Sequence, residues 1–313
     1  HQVRRPHCRN RYGCEPIASC KTNQNRDSSS RFRMNLSDFP QVYSVLKSIP
    51  DNESTLKSLE RADSAWSAFK SGKLPPLPEV IRTQQTPMGE CEHELITASF
   101  DVTVCGGTLG IFLACVLQQA GWRVAVVERG DLAGRTQEWY VSRPELETLC
   151  RLKIISKEEL EQCITVEYSP GRIGFGDSAD LHLEVDGVLN VGVLPSTIIG
   201  IVKNSFLRLG GTLYERHQFE VADVYVDSTI ITLKDLSSYS SGGAQGAGAV
   251  DTNFGQKGTL TDSVTTEKKL RSRILIDAMG NFSPITRQAR GENCNFPDGV
   301  CITVGSCATA NQE

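Results

Sequence analysis

Asp101-Val-Thr-Val-Cys-Gly-Gly-Thr-Leu-Gly-Ile-Phe-Leu-Ala-Cys-Val-Leu-Gln-Gln-Ala-Gly-Trp-Arg-Val-Ala-Val-Val-Glu-Arg129 is the stretch whose reading decides the fold. Val102 and Val104 mark a short apolar strand, and Gly106, Gly107 and Gly110 a tight turn. Ile111, Leu113, Ala114 and Leu117 give a helix a broad apolar face, and Gly121 ends it. Residues 124–127 read as a second buried strand with Glu128 at its end. Strand, glycine turn, helix, strand and acid are the parts of a βαβ dinucleotide-binding unit in their expected order.

Each part has a physical use. A helix N-terminus carries partial positive charge and unpaired N–H groups, which suit a pyrophosphate. Gly107 would let phosphates approach the backbone, and Gly110 would let the helix pack close to the strand. Glu128 lies 18 residues beyond Gly110, where a carboxylate accepts from ribose hydroxyls and repels a 2′-phosphate. In G-x-G-x-x-G register Cys105 stands at the first glycine position, which weakens the turn if that position needs a backbone costly for a residue with a Cβ. The plainer reading is a glycine turn in an α/β protein that binds no nucleotide. No charge falls between Val102 and Trp122, a span long enough for a bilayer. Its four glycines, two glutamines and strand-like start fit a buried βα unit better.

The 313 residues allow one large or two ordinary domains. A net charge of −4 gives no support for a nucleic-acid partner. The eleven cysteines form no C-x-x-C pair or metal-type cluster, and Cys105, Cys115, Cys150 and Cys163 read as small buried hydrophobes. His182 and His217 alternate with apolar neighbours and read as ordinary strand histidines. The chain begins with His and ends without a recognisable closing element, so both ends are expected to be incomplete.

Residues 1–36 hold eight Arg/Lys and two acids with a serine run, the composition of an organelle transit peptide or of a disordered basic tail. Residues 37–95 read as a helical extension and a proline-rich linker. Helices are expected over 36–49 and 52–71, the second capped by Asp51, striped by Leu56, Leu59, Trp66 and Phe69 and ended by Gly72; a connector over 73–87 follows. The nucleotide domain is expected over 96–313. Past Glu128 comes a loop of polar and aromatic groups, with Glu138 and Trp139 as candidates for facing a cofactor. Further helices are expected over 144–152, 157–163 and 195–209, and strands over 213–216, 219–226, 229–233 and 300–304. Asp186-Gly187 suggests a hairpin turn. Residues 237–258 carry six glycines and read as a flexible insertion. Residues 273–277 give a buried strand running into a turn at Asp277 and Gly280, with a short helix to Arg290.

Cys-Gly-Gly-Thr-Leu-Gly, Glu-Arg-Gly-Asp-Leu-Ala-Gly-Arg-Thr-Gln-Glu-Trp and Asp-Ala-Met-Gly-Asn-Phe-Ser-Pro, in this order, resemble FAD/NAD(P)-binding oxidoreductases of the glutathione-reductase-related type, in a plant and cyanobacterial, lycopene-cyclase-like branch. The wider group includes lycopene cyclases, geranylgeranyl reductases and aromatic hydroxylases. The resemblance covers roughly residues 96–308. It implies an α/β fold with a Rossmann-like parallel sheet and inserted β-rich segments. It implies an FAD with its pyrophosphate at Cys105, Gly106, Gly107, Thr108, Leu109 and Gly110, its adenosine ribose on Glu128, and Arg129 and Arg135 alongside. The Asp277–Gly280 turn would close over the nucleotide side. A plastid location, an apolar isoprenoid- or carotenoid-like substrate, NAD(P)H as a reductant and peripheral membrane contact follow as further expectations.

A later Gly-Asp motif of these families has no match after Val304, so much of the flavin and substrate site is expected to be missing, with weak FAD binding and no turnover. No catalytic acid or base is assignable. Two other readings remain open: an NAD-dependent dehydrogenase, which residues 101–129 alone would allow, and a truncated non-catalytic relative that still binds nucleotide. A serine hydrolase has no support, because no G-x-S-x-G elbow occurs.

Overall fold

The computed structural model describes residues 39–48, 56, 59, 64, 78–90, 94–135, 138–174, 182–237, 267–280 and 283–291. The chain divides into two compact units, His1–Glu53 and Ser54–Glu313. In the first, helix α1 (Pro40–Ser48) forms where a short helix is expected and buries none of its residues. Of the second expected helix, Leu56, Leu59 and Ser64 are described and helical. Asp51, Trp66, Phe69 and Gly72 lie outside the described residues, as do the basic segment 1–36, residues 238–266 of the glycine-rich insertion and the strand expected over 300–304.

The second unit is built on a seven-stranded sheet. Its strands are β1 (Ile81–Thr83), β2 (Ala98–Cys105), β3 (Val124–Val127), β9 (Thr212–Tyr214), β10 (His217–Val224), β11 (Thr229–Asp235) and β12 (Glu267–Asp277), in spatial order β1-β10-β11-β12-β2-β3-β9. Strands β12, β2, β3 and β9 run parallel, and β10, β11 and β12 form an antiparallel meander. Helix α2 (Gly107–Gln119) connects β2 to β3, and helix α5 (Pro195–Arg208) precedes β9. This is the α/β, Rossmann-type parallel sheet with added β-rich segments that the sequence implies.

Strand pleat explains the layers. Val102, Val104, Val124 and Val126 face Ile111, Ala114 and Cys115 of α2 and Ile198, Ile199, Val202 and Phe206 of α5. Cys105, Ala125 and Val127 point the other way, onto Phe219, Ala222, Ile231, Leu233 and Leu270 of the meander. Both faces of the parallel strands are therefore covered, which is why 124–127 is an unbroken apolar run. Burying a side chain such as Phe206 or Ile199 contributes about 1.5–3 kcal/mol.

Two smaller sheets accompany it: β4 (Trp139–Val141) and β5 (Ile164–Glu167) flank β8 (Val191–Val193), and β6 (Gly171–Gly174) pairs with β7 (His182–Val185). Helices α3 (Arg143–Arg151) and α4 (Lys157–Cys163) pack beside them, each opened by a serine capping box with a glutamate three residues on. Arg143 bonds to Glu161 and Glu167 and so joins α3, α4 and β5.

Two local expectations need correction. The connector 73–87 contains β1, which is too short to show a period in sequence. It exists because Ala222 and its neighbours in β10 offer a parallel edge. Asp186-Gly187 is no hairpin turn: it carries the chain from β7 to β8 in another sheet, since β8 finds its partners in β4 and β5.

Strand β1 is also clamped from outside. Helix α6 (Pro284–Arg290) presents Gln288, whose Oε1 accepts from the amides of Val80 and Ile81, each at 2.7 Å, while Nε2 donates to Ile81 O at 2.8 Å. Gln288→Ala leaves three half-buried backbone groups without these partners and is expected to destabilise the chain by about 1–3 kcal/mol, read from urea unfolding.

Candidate dinucleotide-binding site

The carboxyl ends of β2 and β3 meet the amino end of α2, where open α/β sheets bind ligands. Cys105 pairs with Val127 on one side and Asp277 on the other and is 0% exposed. Burial, and then the Asp277 charge, push its thiol far above the ordinary range. It is a packed hydrophobe rather than a reactive group.

The unusual backbone falls one residue later. Gly106 has φ +98°, its amide donates to Val127 O at 2.9 Å, and a Cβ there would lie 2.4 Å from Ala278 O. Cys105 therefore fits its position, because the glycine requirement sits at Gly106. A Cβ on Gly110 would lie 2.6 Å from Val104 Cγ1, so this glycine seats the helix on the strand as read. Gly107 differs from its reading: its open side is filled by Leu132 Cδ1, 2.7 Å from an added Cβ, and by Glu128 Oε2 at 3.2 Å. Thr108 is half-buried and Leu109 is exposed on the same turn.

Helix α2 has no acid in its first turn, and its glycine N-cap offers no side chain. By helix geometry its first amides lack intrahelical partners. Glu128 reaches this end: Oε2 accepts from Gly107 N at 2.8 Å and Oε1 from Gly130 N at 3.1 Å. Strand-end acid and helix N-terminus are thus brought together. The Gly107 amide that a pyrophosphate would use is taken by Glu128 Oε2, so a dinucleotide fits here once that carboxylate turns from Gly107 N to ribose hydroxyls.

Arg129 and Arg135 lie exposed along the loop that leaves β3. The Asp277 carboxylate is engaged within its own turn. Asp277 Oδ1 accepts from Met279 N at 3.0 Å, and Oδ2 accepts from the hydroxyls of Ser283 at 2.5 Å and Thr286 at 3.1 Å. These bonds hold the turn and the start of α6. Gly280 has φ +79° with open space around it, so it serves the bend. Glu138 accepts from the hydroxyls of Thr165 and Tyr140, and Trp139 packs on the helix-side core, which ties both to the small sheet.

Sequence reasoning missed the residues that hold the acid's loop. Leu132 N donates to Glu215 Oε1 at 2.6 Å, the oxygen that also receives Lys203 Nζ at 2.6 Å. Arg216 forks Asp131 at 2.8 and 3.1 Å. Only an apolar Leu132 in a polar loop signalled any of this, because Asp131 and Leu132 lie more than eighty residues from Arg216 and Glu215.

The chain matches no protein-family model and no curated protein. Among solved structures it is similar to a flavoprotein/dehydrogenase from Cytophaga hutchinsonii (TM-score 0.41, 13% identity, covering 58% of this chain and 39% of that one). It is also similar to the anhydrotetracycline hydroxylase OxyS from Streptomyces rimosus (0.36, 17%, 57% and 31%). A third is the myxobacterial chondrochloren halogenase CndH, described as a variant of FAD-dependent halogenases (0.44, 15%, 59% and 38%). The chain thus spans less than two fifths of each of these proteins.

Gly106→Ala forces a Cβ against the Ala278 carbonyl at positive φ, and a loss of about 1–3 kcal/mol is expected in denaturant unfolding. The Arg216 guanidinium holds the Asp131 carboxyl below the usual range. A folded value lowered in this way contributes stability above the unfolded value, and the contribution disappears as pH falls through the folded one. The stability difference between the parent chain and Asp131→Asn is therefore expected to be constant above about pH 5, to begin to shrink near about pH 4, and to vanish only once the pH is below the lowered folded value. It should also shrink in high salt, because both groups are at the surface.

Proposed function

We propose that the chain binds the adenosine diphosphate part of FAD and belongs to an FAD-dependent oxidoreductase. The observation that carries this reading is the 2.8 Å bond from the Gly107 amide to Glu128 Oε2, which sets a ribose acceptor beside an anion-ready helix end. In this reading the backbone of residues 105–110 receives the pyrophosphate. Glu128 exchanges its backbone bonds for ribose hydroxyls, and Arg129 and Arg135 lie beside the cofactor. Asp277 and Gly280 shape the turn behind Gly106. The flavin supplies the electron transfer when bound, and the chain's own residues bind and orient it.

The finer proposal is a plastid enzyme acting on an apolar, isoprenoid-like small molecule in the manner of lycopene cyclases, with NAD(P)H as reductant. The three motifs quoted for that branch and the basic, acid-poor residues 1–36 support it. Membrane contact is proposed as peripheral; among the described residues no helix is long and apolar enough to cross a bilayer. The second reading is an NAD-dependent dehydrogenase, favoured by the same carboxylate, which would hold either adenosine.

Titrating the full chain with FAD, ADP and NAD tests both. Saturable FAD and ADP binding is expected, weakened about tenfold or more by Glu128→Ala. Binding of NAD without FAD would replace the flavin by a nicotinamide reading. A chain that takes up none of the three overturns both.

A further inference from the structure

The geometry points to Glu215 as a positioning residue for nucleotide binding, acting through Leu132 on the amino end of α2; this rests on the dinucleotide reading above. Glu128 is held at both backbone groups by the strand beside it and the turn that follows: its amide donates to Tyr214 O at 2.9 Å, and its carbonyl accepts from His217 N at 3.0 Å. Gly130, which donates to the Glu128 carboxylate, gives its carbonyl to Arg216 N at 3.0 Å. The loop after β3 is thus strapped, residue by residue, to the turn between β9 and β10. Arg216 adopts φ +55° there, a backbone uncommon for a residue with a Cβ, so the turn is held in shape by its surroundings.

Glu215 is the side-chain member of this strap. One of its oxygens takes the Leu132 amide and the Lys203 ammonium together, joining the loop to α5. Leu132 is 4% exposed and fills the space against Gly107 where a side chain would otherwise go. A shift of Leu132 therefore moves the wall behind the Gly107 amide and the carboxylate that shares it. Glu215 touches no ligand in this account. It fixes how far Glu128 stands from the helix end, and so how well one ligand can engage both; displacements of about an ångström at such a distance are costly to binding.

The test is calorimetric titration of the full chain with ADP. Glu215→Ala removes the acceptor and is expected to weaken ADP about tenfold, whereas Glu215→Gln keeps an acceptor for the Leu132 amide and should lose less than about threefold. In a Glu128→Gln background the Glu215→Ala loss should fall to about twofold or less, because the two residues act as a unit. An equal loss in both backgrounds, or none in either, overturns the positioning role and leaves Glu215 a stabilising residue. Should Glu215→Ala fail to fold, Lys203→Met provides the second readout. It is expected to speed amide exchange at Leu132 and weaken ADP together, and exchange that changes without affinity overturns the proposal. A parent chain that binds no ADP removes the dinucleotide reading itself, and the role of Glu215 with it. An unchanged Glu215→Ala affinity removes only the latter.

Discussion

The constraint on which the glycine turn depends is the contact between Gly106 and the carbonyl of Ala278. Where a Cβ would stand, the backbone just past the end of β12 already lies. Two hydrogen bonds fix this meeting point, Gly106 N to Val127 O and Ala278 N to Cys105 O. They gather the ends of β2, β3 and β12 under the first turn of α2. Any residue but glycine at 106 would push α2, the Asp277 turn or both away from the sheet, and the carboxylate of Glu128 would no longer meet the helix end.

The two faces of the sheet solve different problems. On the helix side, large apolar side chains from α2 and α5 supply a continuous core. On the other, the meander covers smaller residues, Cys105, Ala125 and Val127. Strand β12 belongs to both arrangements, pairing with β11 over its first half and with β2 over its second. The meander is therefore registered directly against the strand that leads into the glycine turn. The turn between β9 and β10, which straps the Glu128 loop, is in turn set by where the meander begins.

Electrostatics around the candidate site is local. Each carboxylate near it has a nearby donor: Glu128 the amides of Gly107 and Gly130, Asp131 the Arg216 fork, Glu215 the Leu132 amide and Lys203, Asp277 two hydroxyls and an amide. Of these, Glu128 alone faces the α2 end with its bonds made to backbone that a phosphate or ribose could replace. That distinguishes the proposed binding group from those that hold the scaffold.

The sequence alone determined the βαβ unit, the acid at the end of β3, and helices α3 to α6, because period, capping residues and glycine placement are local signals. Phe206 and Ile199 share a face by spacing alone. It did not announce β1, whose three residues owe their state to the edge of β10 and the amide of Gln288. Nor did it show that Asp277 is committed to Ser283 and Thr286, or that Gly107 is backed by Leu132. Those depend on which chain segments the sheet order brings side by side. The Glu215–Lys203–Leu132 junction was decided only by the tertiary structure: it joins a helix and the turn after it to a loop some eighty residues earlier, and a hydrogen bond of that kind leaves no periodic trace in the sequence.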